Sequence, residues 1–170
     1  MLKRPILNSS LMAAVVVLTG CGWTADRPAE VDLLSMLPTA ERRAGGEVST
    51  AIRADVFVAG GDGRMALVME APARVTWSVR LPVHAQFQTA VAGSARLRLG
   101  ASNGRTYQEV AQIDVTAGWK PVTIDLRGLS EVQWSLFYQP LRMDWQLIIN
   151  ADVTAAGNTI ALDRPRLTKS

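Results

Sequence analysis

The chain has 170 residues, of which 48% are hydrophobic and 19% are charged, a composition that excludes a disordered protein and predicts a packed core. A chain of this length is typical of one folded domain. The formal net charge is only +3, and the basic residues are interspersed with acids, so we expect no nucleic-acid partner.

The first twenty residues have the layout of a secretory signal peptide. Lys3 and Arg4 give a positively charged start, and an unbroken apolar run covers residues 11–18. This run ends at Gly20, short of the about 20 apolar residues that span a bilayer, which favours a cleaved signal over a transmembrane anchor. We therefore predict that residues 1–20 are removed.

The signal segment ends in Leu18-Thr19-Gly20-Cys21. This motif resembles the lipobox of bacterial lipoproteins, which implies that Cys21 becomes the first mature residue and attaches the protein to a membrane through lipid. Gly22 stands where an aspartate commonly retains such proteins in the inner membrane. The resemblance thus implies the periplasmic face of the outer membrane or the cell surface. Cys21 is the only cysteine, so no intramolecular disulfide is possible.

Two short segments precede the β-rich part of the chain. Residues 21–30 are polar or small and predict a flexible tether. Residues 31–45 predict a short helical segment, because apolar residues recur at helical spacing over 31–43. Asp32 is placed to cap the helix and Pro38 to end or bend it. We expect this helix to dock on the domain; the alternative is a partner-binding motif.

Residues 46–170 alternate between apolar and polar positions and predict an all-β domain. Val75, Trp77, Val79 and Leu81 face one side of their strand. The same pattern covers segments 95–100, 119–126, 132–138, 145–153 and 160–167. Gly60-Gly61-Asp62-Gly63 and Asn103-Gly104 predict hairpin turns. Nine or ten such strands predict a two-layer antiparallel β-sandwich.

The order of these strands resembles a galactose-binding-like jelly roll. The residues that carry the resemblance are a W-x-x-V-x-I-D-L segment at 119–126 and a closing strand with Pro165 and Leu167. The version most similar is the module attached to some bacterial sulfatases and membrane-anchored proteins. The resemblance covers about residues 47–169 and implies a jelly-roll fold with a surface for glycans or proteins. The chain departs from this pattern at Leu162-Asp163-Arg164-Pro165 and in a lengthened strand at 144–154.

The sequence offers little catalytic or metal-binding chemistry. His84 is the only histidine and no Gly-x-Ser-x-Gly motif accompanies it, so we predict no catalytic residues and an ordinary surface role for His84. One histidine and a lipidated cysteine cannot form a zinc site. We predict no cofactor, although a structural calcium ion held by loop oxygens stays open.

The tryptophans are candidates either for the core or for stacking against sugar rings. Trp77 and Trp145 share the apolar faces of their strands, so we predict that both lie in the core. Trp119 follows Gly118 at the start of a strand and is the candidate for ligand binding at the rim of the sandwich.

The lipobox, the jelly-roll resemblance and the lack of catalytic motifs together predict a non-enzymatic, lipid-anchored envelope protein. Its jelly roll is expected to bind a glycan or a protein. The alternative is an accessory or catalytic protein acting on cell-envelope polysaccharide, which requires converging carboxylates from candidates such as Glu70, Glu109 and Asp144. A purely structural envelope protein is a third possibility. The fold alone does not choose among them.

Overall fold

A computed structural model describes residues 30–82, 84–130 and 144–169. The predicted signal peptide, Cys21, the tether up to residue 29 and the predicted strand at 132–138 lie outside the described residues. Within the described part of the chain, no helix is long and apolar enough to cross a membrane.

The described residues form two antiparallel sheets that pack face to face. Sheet A has six strands; these are β1 (Glu30–Asp32), β3 (Ile52–Ala59), β4 (Asp62–Glu70), β6 (Ala85–Gly93), β9 (Lys120–Asp125) and β11 (Thr159–Lys169). Sheet B has five strands; these are β2 (Glu41–Ala44), β5 (Ala73–Val79), β7 (Arg96–Ser102), β8 (Tyr107–Asp114) and β10 (Trp145–Asp152). The predicted antiparallel jelly-roll sandwich is confirmed.

Each sheet has its own strand order. Sheet A runs β3-β4-β11-β6-β9, with β1 added beside β11, and sheet B runs β2-β5-β10-β7-β8. The described residues also form two helices of one turn each: α1 (Val48–Ala51), between β2 and β3, and α2 (Arg127–Ser130), which follows β9. Strands β1 and β2, which lie before the predicted domain start at residue 46, are part of the two sheets.

The core lies between the sheets and follows the predicted alternation. Val75, Trp77, Val79 and Leu81 are all buried, and Trp77 is 1% exposed. The indole Nε1 of Trp77 donates a hydrogen bond to the carbonyl of Leu33 at 3.0 Å. This bond satisfies the one polar group of a buried indole and ties the segment after β1 to the centre of sheet B.

Both predicted hairpins are present. Gly60 and Gly61 form the two-residue turn between β3 and β4, with φ of 60° and 82°. Gly104, with φ of 83°, lies in the turn between β7 and β8. Positive φ at these positions is what a tight hairpin turn requires and what glycine adopts without strain.

The predicted helix over residues 31–43 is wrong. This segment contains β1, a single 3-10 turn at Leu37–Thr39 and β2. Asp32 caps a turn instead of the predicted helix. Its Oδ1 accepts hydrogen bonds from the backbone N–H groups of Leu34 and Ser35 at 2.9 and 3.2 Å. A helix this short gains little by itself, whereas here the flanking residues pair with β11 and β5.

Candidate functional site

A row of polar side chains crosses sheet B from edge to edge. Successive Cα partners in the register of the sheet are Arg43, Arg74, Asn150, Arg98 and Gln112, one from each strand. Directly paired residues share one face of a sheet. These five residues, called here the polar row, therefore lie side by side.

The polar row belongs to the outer face of sheet B. Its residues alternate along their strands with Val75, Leu99 and Ile149, each of which is 0% exposed in the core. Because side chains alternate between the two faces of a strand, the polar row points away from the core. The next row on the same face contains Thr76, Ile148 and Gly100.

Asn150 and Arg74 form the centre of the polar row. The Nε of Arg74 donates a hydrogen bond to Oδ1 of Asn150 at 2.7 Å, and Asn150 is 4% exposed. An arginine can only donate, so this bond sets the orientation of the amide and leaves its Nδ2 free to donate elsewhere. Asn150 thereby holds the Arg74 guanidinium in place without neutralising its charge.

Arg98 lies on the other side of Asn150 and is held by two carboxylates. Its Nε is 2.5 Å from Oδ2 of Asp152, and its Nη1 is 3.4 Å from Oε2 of Glu109. The hydrogen bond to Asp152 raises the pKa of Arg98 above its ordinary value, so this side chain stays cationic. Arg98 is therefore a fixed positive group.

A depression of about 300 Å³ opens above this part of the sheet. Its charged lining consists of Arg43, Arg74, Arg98 and Asp152, with Asn150 between them and Pro72 at the rim. The lining therefore contains three arginines and one aspartate, while Glu109 and Glu41, which do not line the depression, pair with Arg98 and Arg43. The site is thus rich in hydrogen-bond donors.

At two of these arginines, Arg43 and Arg74, protein carboxylates compete little with a ligand for the guanidinium donors. Arg43 is 2.6 Å from Glu41, but the two side chains are 73% and 56% exposed, and such surface pairs contribute little. Arg74 has no carboxylate partner among the described residues. Both guanidinium groups can therefore turn donors towards a bound molecule.

One aromatic side chain lies on the same face. Tyr107 pairs with Ser102 at the edge of the sheet and is 52% exposed. A Cβ atom at Gly100 would come within 2.4 Å of the Tyr107 hydroxyl oxygen, so the ring lies over Gly100 and requires glycine there. Ile148, directly paired with Gly100, is 8% exposed and so offers little surface to a ligand.

The sequence predicts the outward direction of Arg98 but does not predict the polar row. Its members are far apart in the chain, and only the register of the sheet brings them together. The one available signal is Asn150, a polar residue inside the apolar strand β10, since a buried polar group in such a strand needs a specific partner.

Trp119, the predicted rim residue, lies on the outer face of sheet A, on the opposite side of the sandwich. Its Nε1 donates to the carbonyl of Asp62 at 3.0 Å. The guanidinium carbon of Arg64 is 5.1 Å from the ring centroid, and Phe57 meets the ring edge to face at 6.0 Å. The indole thus has three protein partners, and sugar stacking at Trp119 stays a prediction.

Trp77 and Trp145 differ in burial. The predicted core position of Trp77 is confirmed, whereas Trp145 is half-buried and packs against the core from its margin. His84 is exposed, in a turn with φ of 52°.

The candidate carboxylates do not converge. Glu70 lies on sheet A, 2.9 Å from Arg53, while Glu109 pairs with Arg98 on sheet B. Asp144 is 3.2 Å from Arg80. Each is held by a different arginine, and the described residues contain no group of three or more His, Cys, Asp or Glu side chains arranged to hold a metal ion.

The comparisons with known proteins identify the fold of this chain. No family profile and no curated protein matches the chain. Among solved structures, TmCBM61 in complex with β-1,4-galactotriose matches with a TM-score of 0.51 and 13% identity, over 79% of this chain and 90% of that one. The CBM51-2 and INT domains of Clostridium perfringens ZmpB match with a TM-score of 0.53 and 12% identity.

The second match covers 82% of this chain but only 31% of the other. At such identities the likeness shows the fold: a jelly-roll sandwich of the kind found in carbohydrate-binding modules. The predicted galactose-binding-like fold is confirmed.

Proposed function

We propose that this protein is a lipid-anchored, non-catalytic module that binds a glycan on the outer face of sheet B. The observation that carries the proposal is the polar row beside Tyr107. Binding sites for small molecules combine a few fixed polar groups with apolar or aromatic surface. Asn150, Arg74 and Arg98 supply the fixed donors, Asp152 supplies acceptors, and Tyr107 supplies an aromatic ring.

The geometry of the face suits an extended ligand. The polar row crosses five strands, and strands in a sheet are spaced by about 4.8 Å. A chain of two or more sugar rings lying across the sheet could therefore contact Tyr107 and the depression at the same time. The structural similarity to TmCBM61, whose complex contains β-1,4-galactotriose, supports a glycan as the ligand class.

Binding to an oligosaccharide array tests this proposal. We expect the full-length protein in detergent to bind at least one envelope-type oligosaccharide, and Tyr107→Ala to weaken that binding about tenfold, the equivalent of about 1.4 kcal/mol. Gly100→Val is expected to act in the same direction, because its side chain would displace the Tyr107 ring.

Trp119→Ala is the matched control, since it removes an aromatic side chain from the opposite face. Thermal unfolding of each variant separates lost binding from lost folding. Weakened binding in Trp119→Ala but not in Tyr107→Ala would place the ligand on sheet A instead.

The membrane anchor is part of the same proposal and rests on Leu18-Thr19-Gly20-Cys21. Intact mass and membrane fractionation should show that the wild type loses residues 1–20, gains acyl chains on Cys21 and sediments with membranes. Cys21→Ala should keep residues 1–20, gain no acyl mass and lack the lipid-dependent attachment. An unmodified Cys21 in the wild type would contradict the anchor and leave glycan binding to be judged separately.

Anchoring would place the binding face close to the membrane on a short connection. Residue 30 already belongs to β1, so the predicted tether would leave only eight residues, 22–29, between Cys21 and β1. A flexible chain of this length reaches roughly 14–17 Å on average. We therefore propose that the module holds a glycan near the envelope surface, on the periplasmic face of the outer membrane or on the cell surface.

A further inference from the structure

We infer that the glycan is acidic, and that the depression above the polar row takes its carboxylate or sulfate group. This inference rests on the proposed glycan binding and names the class of sugar. The depression is lined by Arg43, Arg74 and Arg98 and by a single acid, Asp152. A neutral sugar offers hydroxyl groups that both donate and accept, whereas this lining mainly donates.

The charge of Arg74, which has no carboxylate partner among the described residues, is the first argument. Its neighbour in the polar row is the neutral Asn150, which accepts from Nε at 2.7 Å. That bond leaves the terminal amino groups of Arg74 for another acceptor. A guanidinium positioned in this way is suited to a planar carboxylate or a sulfate, because two of its N–H groups can donate in parallel.

The position of Asn150 is the second argument. Its Oδ1 already accepts one hydrogen bond from Arg74, and its Nδ2 is a further donor beside that guanidinium. No described residue accepts from that Nδ2. Asn150 and Arg74 therefore provide adjacent donors at the depression, and an anionic oxygen is the acceptor that such a pair binds most strongly.

The shortage of aromatic surface is the third argument. Among the described residues, Tyr107 is the one aromatic side chain on the outer face of sheet B that is more than half exposed. One ring contributes a limited stacking energy. Charge-assisted hydrogen bonds are about twice as strong as neutral ones. An acidic ligand would therefore bind mainly through the guanidinium and amide donors, which are abundant on this face.

The test compares acidic oligosaccharides with neutral counterparts of the same length. The probes are oligosaccharides of galacturonate and of glucuronate, each beside its carboxyl-reduced form, and a sulfated galactan beside its desulfated form. Affinities for the full-length protein in detergent are measured at low and at high ionic strength. We expect an acidic form to bind about tenfold more tightly than its neutral counterpart, with the difference shrinking in salt.

Two arginine substitutions locate the effect. Arg74→Gln is expected to abolish the preference for the acidic form. Arg42→Gln is the matched control, because Arg42 is on β2 next to Arg43 but pairs with the core-facing Val75 and so points to the other side of the strand. The control makes the same change in net charge and should retain the preference.

The outcomes separate the inference from the proposed function. Equal affinity for acidic and neutral forms, or the same loss in both arginine variants, would overturn the acidic ligand while glycan binding stands. If the protein binds none of the probes and none of the oligosaccharides on the array, both the acidic ligand and the proposed glycan binding are overturned. Preference for the uronates over the sulfated galactan, or the reverse, identifies the anionic group.

Discussion

Trp77→Ala should lower the free energy of unfolding by about 3–5 kcal/mol, the range for removing a fully buried large aromatic side chain. Trp77 is 1% exposed and reaches from β5 to the carbonyl of Leu33. Its loss removes apolar contacts from the centre of the core and releases the segment that follows β1. Chemical denaturation monitored by circular dichroism measures the change.

Trp77→Phe separates the two contributions of the indole. Phenylalanine keeps much of the apolar volume but leaves the Leu33 carbonyl without its donor, which should cost about 1–3 kcal/mol. The expected order of stability is wild type, then Trp77→Phe, then Trp77→Ala. Equal stability of the wild type and Trp77→Ala would mean that this indole does not fill the core.

The same tryptophan connects the fold to the proposed anchor. The segment that Trp77 holds begins at Glu30, where the predicted tether ends, and β1 pairs with β11 in the centre of sheet A. Fraying of this segment would lengthen the flexible connection to Cys21. A destabilised β1 should therefore change the distance between module and membrane before it changes the polar row on sheet B.

The features that could be predicted from the sequence are local. A strand with one buried face alternates with period two, so the buried side of Val75, Trp77 and Val79 could be read directly. Gly60-Gly61 in a two-residue turn follows from the positive φ that such turns need. Neither inference requires knowledge of distant parts of the chain.

The predicted helix over residues 31–43 was wrong because pairing partners far away in the sequence decide its structure. Its apolar residues fit a helical face, yet β1 pairs with residues 166–168 and β2 with residues 73–76. Those contacts supply backbone hydrogen bonds that a short isolated helix could not match. Helical spacing over one or two turns does not distinguish these outcomes.

The closing strand shows the same limit of prediction from local sequence patterns. Alternation predicts one strand over residues 160–167, and the structure has β11 there, but with an irregular register between Asp163 and Arg166. Arg164 has a φ of 44°, which is uncommon for a residue with a side chain. The irregularity falls at Leu162-Asp163-Arg164-Pro165, where the sequence departs from the jelly-roll pattern that it resembles. Before the irregularity β11 pairs with β4, and after it β11 pairs with β1.

The candidate site depends on register in the same way. Arg43, Arg74, Arg98 and Asn150 come from four strands, and a shift of one residue in any of them would turn that side chain to the opposite face. Spacing in the sequence contains no information on such a row. The sequence could place aromatic residues at strand starts, as with Trp119, but not the polar groups that the sheet aligns.

Gly93→Ala should destabilise the protein by about 2–6 kcal/mol, since it combines backbone strain with a steric clash. Gly93 ends β6 with a φ of 137°, and a Cβ atom there would come within 2.2 Å of the Thr159 carbonyl oxygen. Both atoms belong to the paired ends of β6 and β11. The clash is with backbone, so it can be relieved only by separating the two strands.

Two further glycines allow the causes to be separated by the same denaturation measurement. Gly60 has a φ of 60° but nothing within 4 Å of an added Cβ, and Gly118 has open space without a positive φ. Gly60→Ala should therefore cost about 1–2 kcal/mol from strain alone, and Gly118→Ala should be nearly neutral. If Gly93→Ala costs no more than Gly60→Ala, the close approach of β6 and β11 does not exist, and the register that fixes the centre of sheet A must differ from the one described.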